Sequence, residues 1–137
     1  MRHLLGGMMQ AEHPITIVDM EAGLEHLSRG TARHVDTLLV VLEPYYKALE
    51  IGRRAAELGR ELGVARIMGV ANKMRDGEDA TAVRDFAAAH GLSLVAEVPL
   101  DDAIRRGDLA GRAPIELPDS PAVISIAGLA AHLLTPD

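Results

Sequence analysis

Thr37-Leu38-Leu39-Val40-Val41-Leu42, closed by Glu43-Pro44, decides the fold. A strand with one wet face alternates apolar and polar residues, whereas this run has no polar position after its first residue. It is also too short for a helix, so it reads as a strand buried on both faces. Three more runs have the same form: Ile15-Thr16-Ile17-Val18 ending in Asp19, Arg66-Ile67-Met68-Gly69-Val70-Ala71 closed by Asn72-Lys73, and Leu92-Ser93-Leu94-Val95-Ala96-Glu97-Val98 closed by Pro99.

Helical patterns separate these runs. One covers 45–62 and is stopped by Gly63, and a second covers 78–90 and is stopped by Gly91. A short helix is expected over 101–106 with Asp101 as its N-cap. The last should begin at Ser120-Pro121, a capping residue followed by proline at the first helical position, and run to 134. Strands alternating with helices make βαβ units with right-handed crossovers. The expectation is an α/β fold: a parallel sheet of about four strands with flanking helices, in a single domain over 1–137. No internal repeat, low-complexity tract or linker divides the chain.

Composition excludes several functions. A net charge of −6 and only three aromatics, Tyr45, Tyr46 and Phe86, disfavour a nucleic-acid partner, which needs clustered cations or stacking platforms. With no cysteine there are no disulfides and no thiolate metal sites. The six histidines lack metal-ligand spacing, so no nickel or zinc site is expected. The N-terminal apolar patch is broken by Gly6-Gly7, and the longest apolar stretch, 122–134, is below spanning length. No lysine or arginine follows Arg112, so a basic amphipathic tail for membrane binding is also missing. A soluble cytoplasmic protein is expected.

In open parallel sheets, ligands bind beyond the carboxyl ends of the strands. Polar residues of this chain collect there: Asp19, Glu21 and Glu25 after the first run, Glu43 after the second, Asn72 and Lys73 after the third, Pro99, Asp101 and Asp102 after the fourth. Taken singly, an aspartate after a strand is most often a cap and a proline is loop punctuation. Their joint position on one rim is what suggests a site.

The string Ile17-Val18-Asp19-Met20-Glu21-Ala22-Gly23-Leu24-Glu25-His26-Leu27-Ser28-Arg29-Gly30-Thr31 resembles the Walker B and switch II region of CooC-type ATPases. These are MinD/ParA-like proteins associated with nickel insertion into carbon monoxide dehydrogenase. Leu39-Val40-Val41-Leu42-Glu43-Pro44, Val70-Ala71-Asn72-Lys73 and Val98-Pro99-Leu100-Asp101 resemble later family segments in the same order. The resemblance runs from about Ile15 onward and implies the C-terminal part of a SIMIBI-class P-loop NTPase, from Walker B to the C-terminus.

It also implies ATP or ADP and Mg²⁺ as cofactors. Asp19, Glu21 and Gly23 then form the catalytic switch, with Asp19 holding Mg²⁺ through a water. Asn72, Lys73, Pro99 and Asp101 line the adenine side. A homodimer, a full-length paralogue and a carbon monoxide dehydrogenase-type client are the implied partners. The residue types suit these roles: a carboxylate can hold a hydrated Mg²⁺, glycine permits a turn that moves with the γ-phosphate, and an asparagine offers adenine a donor and an acceptor together.

The phosphate-binding loop of the family, K-G-G-x-G-K-[ST], has no match here. Gly6-Gly7 is followed by Met8-Met9-Gln10 and no lysine. Without the loop's amides and lysine, ATP binding by this chain alone should be very weak and hydrolysis negligible. The family's C-x-C motif is likewise missing. In the family the phosphate-loop strand lies between the Walker B strand and the one corresponding to residues 37–42. Its removal leaves three outcomes: direct pairing of the flanking strands, a strand supplied by a second polypeptide, or poor folding alone. Direct pairing is the expectation. A reading frame that begins upstream of Met1 would restore the missing half; a stand-alone remnant would not.

Two other readings compete. One is a non-catalytic interaction module that docks through residues 23–34 and the helix over 45–62. The other is a receiver- or flavodoxin-like domain using Asp19 and Lys73, which leaves the string from Asp19 to Leu27 unexplained.

Overall fold

The computed structural model describes residues 15–20, 35–75 and 77–134. In chain order they form β1 (Thr37–Leu42), α1 (Tyr46–Glu61), β2 (Arg66–Met74), α2 (Glu78–Ala89), β3 (Leu94–Pro99), α3 (Asp102–Leu109), a 3₁₀ turn (Pro114–Glu116) and α4 (Pro121–Leu134). The strands pair in parallel in the order β1-β2-β3. The α/β class and the βαβ alternation read from the sequence are present.

One face of the sheet is closed by α1 and α2. Val40 and Leu42 of β1, with Ala71 and Met74 of β2, meet Leu49 and Ala56 of α1 and Ala80, Val83 and Ala87 of α2. Alternation along β1 sends its even-numbered residues to this side. Leu42 and Val83 are wholly buried, each contributing about 1.5–3 kcal/mol by leaving water. Helix α1 presents Leu49, Gly52, Ala56 and Gly59 on its buried stripe. The glycines let it lie almost on the strand: a Cβ at Gly52 would overlap the Leu42 side chain, and one at Gly59 would come within 2.8 Å of Leu38. Arg60 of α1 donates to the carbonyls of His90 and Gly91 at 3.2 and 3.0 Å, fastening α1 to the C-terminal end of α2 and satisfying carbonyls that a helix end leaves open.

The other face is covered by α4. Val70, Val98 and Ala122 form its buried core, with Leu39, Ile104 and Leu129 packed against them. Ser125 of α4 donates to the Glu97 carbonyl of β3 at 2.7 Å.

Two expectations need correction. The sheet has three strands among the described residues, where about four were expected. Ile15-Thr16-Ile17-Val18 forms no strand, and its direct pairing with β1 is not made. A strand exists through its ladder, and this segment has none; Ile15 is 55% and Ile17 89% exposed. Second, Asn72 and Lys73 do not follow β2 but lie inside it, because β2 runs on to Met74.

Candidate functional site

The carboxyl ends of the three strands bring Glu43, Asn72, Lys73, Pro99 and Asp101 to one rim, as the topology requires of consecutive parallel strands. The local feature that organises them is a bulge in β2. Ala71 is opposite Glu97 and Met74 is opposite Pro99, so Asn72 and Lys73 together face the single residue Val98. The consequence is visible in the core. Ala71 and Met74, an odd number of residues apart, both point into the α1/α2 side, which an unbroken pleat forbids. Lys73 absorbs the extra residue with φ of 56°.

The Lys73 ammonium bonds Glu43 at 2.8 Å, joining the end of β1 to the bulge. That hydrogen bond, reinforced by the carboxylate's charge, holds the lysine above its ordinary pKa. Asn72 is half-buried, and among the described residues its side chain has no hydrogen-bond partner. The Leu100 amide donates to the Met74 carbonyl at 2.8 Å, so the turn after β3 is tied to the end of the bulged strand.

Asp101 is occupied differently from its neighbours on the rim. Its Oδ1 accepts the Ala103 amide at 2.7 Å, which makes it the N-cap of α3 as the sequence indicated. Its Oδ2 accepts the Ser120 hydroxyl at 2.6 Å. Ser120 is itself buried and accepts the Val123 amide at 3.3 Å, capping α4. The two capping residues thus lock the starts of α3 and α4 together. The Ser120 hydrogen bond, and after it the Ala103 amide, hold the Asp101 carboxyl below its usual range. Both oxygens being engaged, Asp101 is built to fix the Pro99-Leu100 turn.

Asp19 is exposed and stands in the segment that forms no strand. Glu21 and Gly23 lie outside the described residues, as does the proposed docking segment 23–34. Among the described residues no three histidines or carboxylates gather as a metal site, and no helix is long and apolar enough to cross a membrane. Reading the sequence identified Glu43, Lys73, Asp101 and Ser120 singly but missed that they pair as Glu43–Lys73 and Asp101–Ser120. No local spacing signals either pair.

No family model matches the sequence. The chain is 36% identical over 121 residues to the carbon monoxide dehydrogenase accessory protein CooC of Rhodospirillum rubrum, covering 88% of this chain and 44% of that protein. It is 35% identical over 127 residues to an uncharacterized ATP-binding protein of Methanocaldococcus jannaschii, covering 92% of this chain and 48% of the relative. The chain therefore spans about half the length of the curated relatives it matches. Among solved structures, the septum site-determining protein MinD of Pyrococcus horikoshii, complexed with Mg-ADP, superposes with a TM-score of 0.78 at 19% identity, over 98% of this chain and 55% of that one. That likeness speaks for the fold, a MinD-like α/β architecture matched over about half of the solved protein. The chain is thus related in sequence to CooC and to ATP-binding proteins similar to it, and its fold is that of MinD.

Proposed function

We propose that the chain is the adenine-side and switch portion of a CooC/MinD-like ATP-binding protein linked to nickel insertion into carbon monoxide dehydrogenase, and that it does not hydrolyse ATP by itself. The observation that carries this reading is the half-buried carboxamide of Asn72 on the β2 bulge, without a hydrogen-bond partner among the described residues, beside a turn fastened by the Leu100–Met74 hydrogen bond. A half-buried amide without a partner suits a ligand edge that offers a donor and an acceptor. Pro99 and Leu100 supply the wall for the base, and Asp101 holds that wall through its two caps. Lys73, paired with Glu43, stands beside Asn72 on the same base side.

On the switch side, Asp19 would hold Mg²⁺ through a water, with Glu21 and Gly23 following the γ-phosphate; these roles rest on the resemblance of the segment. The Mg-ADP in the MinD relative makes the same cofactors reasonable here. The phosphates need amide donors and a lysine of the K-G-G-x-G-K-[ST] kind, which these 137 residues do not contain. They would come from the part of the family protein that this chain does not span, as in a full-length paralogue, and the client would be a carbon monoxide dehydrogenase-type enzyme in the cytoplasm.

The test is phosphate release from Mg-ATP by the purified chain. Background-level release is expected, and turnover typical of P-loop ATPases would overturn the proposal. A second reading, a non-catalytic docking module, is favoured by Tyr45 and Tyr46, two of the three aromatics, both exposed at the start of α1 with Ile51, since exposed tyrosines commonly anchor interfaces. It requires calorimetric binding to a carbon monoxide dehydrogenase that Tyr46→Ala weakens; unchanged binding removes it.

A further inference from the structure

Lys73 is the one non-glycine residue with positive φ among the described residues. In that region the side chain of an L-residue crowds its own carbonyl, so the conformation persists only where the surroundings hold it. Glycine would adopt it without strain. A lysine at this position therefore brings something glycine cannot, and its only charged contact among the described residues is the Glu43 carboxylate, 2.8 Å away.

The same residue sets the position of its neighbour. The bulge exists because Asn72 and Lys73 share the place opposite Val98, and Met74 returns to the α1/α2 core. Any relaxation of Lys73 toward ordinary strand geometry would have to move Asn72 or withdraw Met74. Asn72 is fastened by no hydrogen bond of its own side chain among the described residues, so its setting is inherited from the backbone. That matters for base choice. On its Watson–Crick edge adenine presents an exocyclic donor beside a ring acceptor, whereas guanine presents an exocyclic acceptor beside a ring donor. A carboxamide that turns over by half a rotation matches either, so discrimination depends on how firmly its base is fixed.

We infer that the Glu43–Lys73 ion pair is a positioning device that holds the left-handed bulge, fixes the Asn72 carboxamide and thereby makes the site select adenine over guanine. The inference rests on the adenine reading of this rim. Glu43 and Lys73 act through Asn72 and need not touch the base. An ordinary surface ion pair would serve neither end, because removing it would leave the backbone and the base preference as they were.

The experiment uses the 137-residue chain and the variants E43Q and E43K/K73E, the second reversing the pair. Two signals are followed by NMR. Without nucleotide, the HN–Hα coupling of residue 73 and the Asn72 side-chain amide resonances report the bulge. With AMP or GMP at equal concentration, the shift of the Asn72 amide reports base preference. In the wild-type chain AMP should move that amide severalfold more than GMP. E43Q should average the residue-73 coupling and bring the two responses within about twofold of each other, and E43K/K73E should restore both signals. An E43Q chain with unchanged coupling and unchanged AMP preference overturns the inference while leaving the adenine reading intact. A wild-type chain whose Asn72 amide ignores AMP overturns the adenine reading and base selection with it.

Discussion

The two faces of the sheet are built to different standards. On the α1/α2 side a continuous set of buried residues runs from Val40 and Leu42 through Ala71 and Met74 to Leu92. On the α4 side, among the described residues, only Val70, Val98 and Ala122 form a buried cluster, and Val41 of β1 is 56% exposed. Helix α4 accentuates the contrast. Its sequence, PAVISIAGLAAHLL, is apolar nearly all round, yet Ala122 is its one buried residue, and Ile124, Ile126 and Leu134 are exposed. A helix apolar on every side is normally enclosed. The described residues therefore contain one finished core and one partial core, and stability should reside almost wholly in the first.

Neighbouring positions on β1 test this most strongly. Leu42→Ala should cost about 2–5 kcal/mol in denaturant unfolding, as for deletion of a fully buried leucine, while Val41→Ala should stay within about 0.5 kcal/mol. Equal costs would erase the distinction between the faces. Next in size is Gly52→Ala. Its Cβ would overlap Leu42, and Leu42 is too enclosed to yield, so a loss of about 1–3 kcal/mol from overpacking is expected; a neutral result would mean that α1 can ride away from β1.

The thinner face gives the smallest effect and the one that depends on pH. Ser120→Ala removes the cap of α4 and a donor to Asp101, for about 0.5–2 kcal/mol. Because the folded state holds the Asp101 carboxyl below its unfolded value, the contribution is complete above a pH of about 4 and is lost as pH falls through the lowered folded value. Asp101→Asn should therefore flatten the acid limb of the stability profile. An acid limb that keeps its slope would show that Asp101 is not the group titrating there.

The sequence made the finished face legible and left the rim half-read. Aliphatic runs such as Thr37–Leu42, turn residues such as Gly63 and Gly91, and the caps at Asp101 and Ser120 are local signals, and each appears where its pattern indicated. Ile15-Thr16-Ile17-Val18 carried the same local signal without becoming a strand, because β-propensity needs a partner to act on. The pattern places Asn72-Lys73 after the strand and not inside it, since a two-against-one register depends on β3 rather than on β2 alone. The Glu43–Lys73 and Asp101–Ser120 pairs are long-range and leave no periodicity to find.

The central claim is that these residues grip the base side of a nucleotide and not its phosphates. Parallel NMR titrations of the chain with adenosine and with Mg-ATP test it directly. The account predicts the same perturbed amides for both, at Asn72, Lys73, Leu100 and Asp101, with both dissociation constants weaker than about 1 mM, the affinity left when charge-assisted phosphate contacts are absent. Binding of Mg-ATP tighter than about 1 mM and well beyond that of adenosine, or perturbations away from this rim, would contradict it.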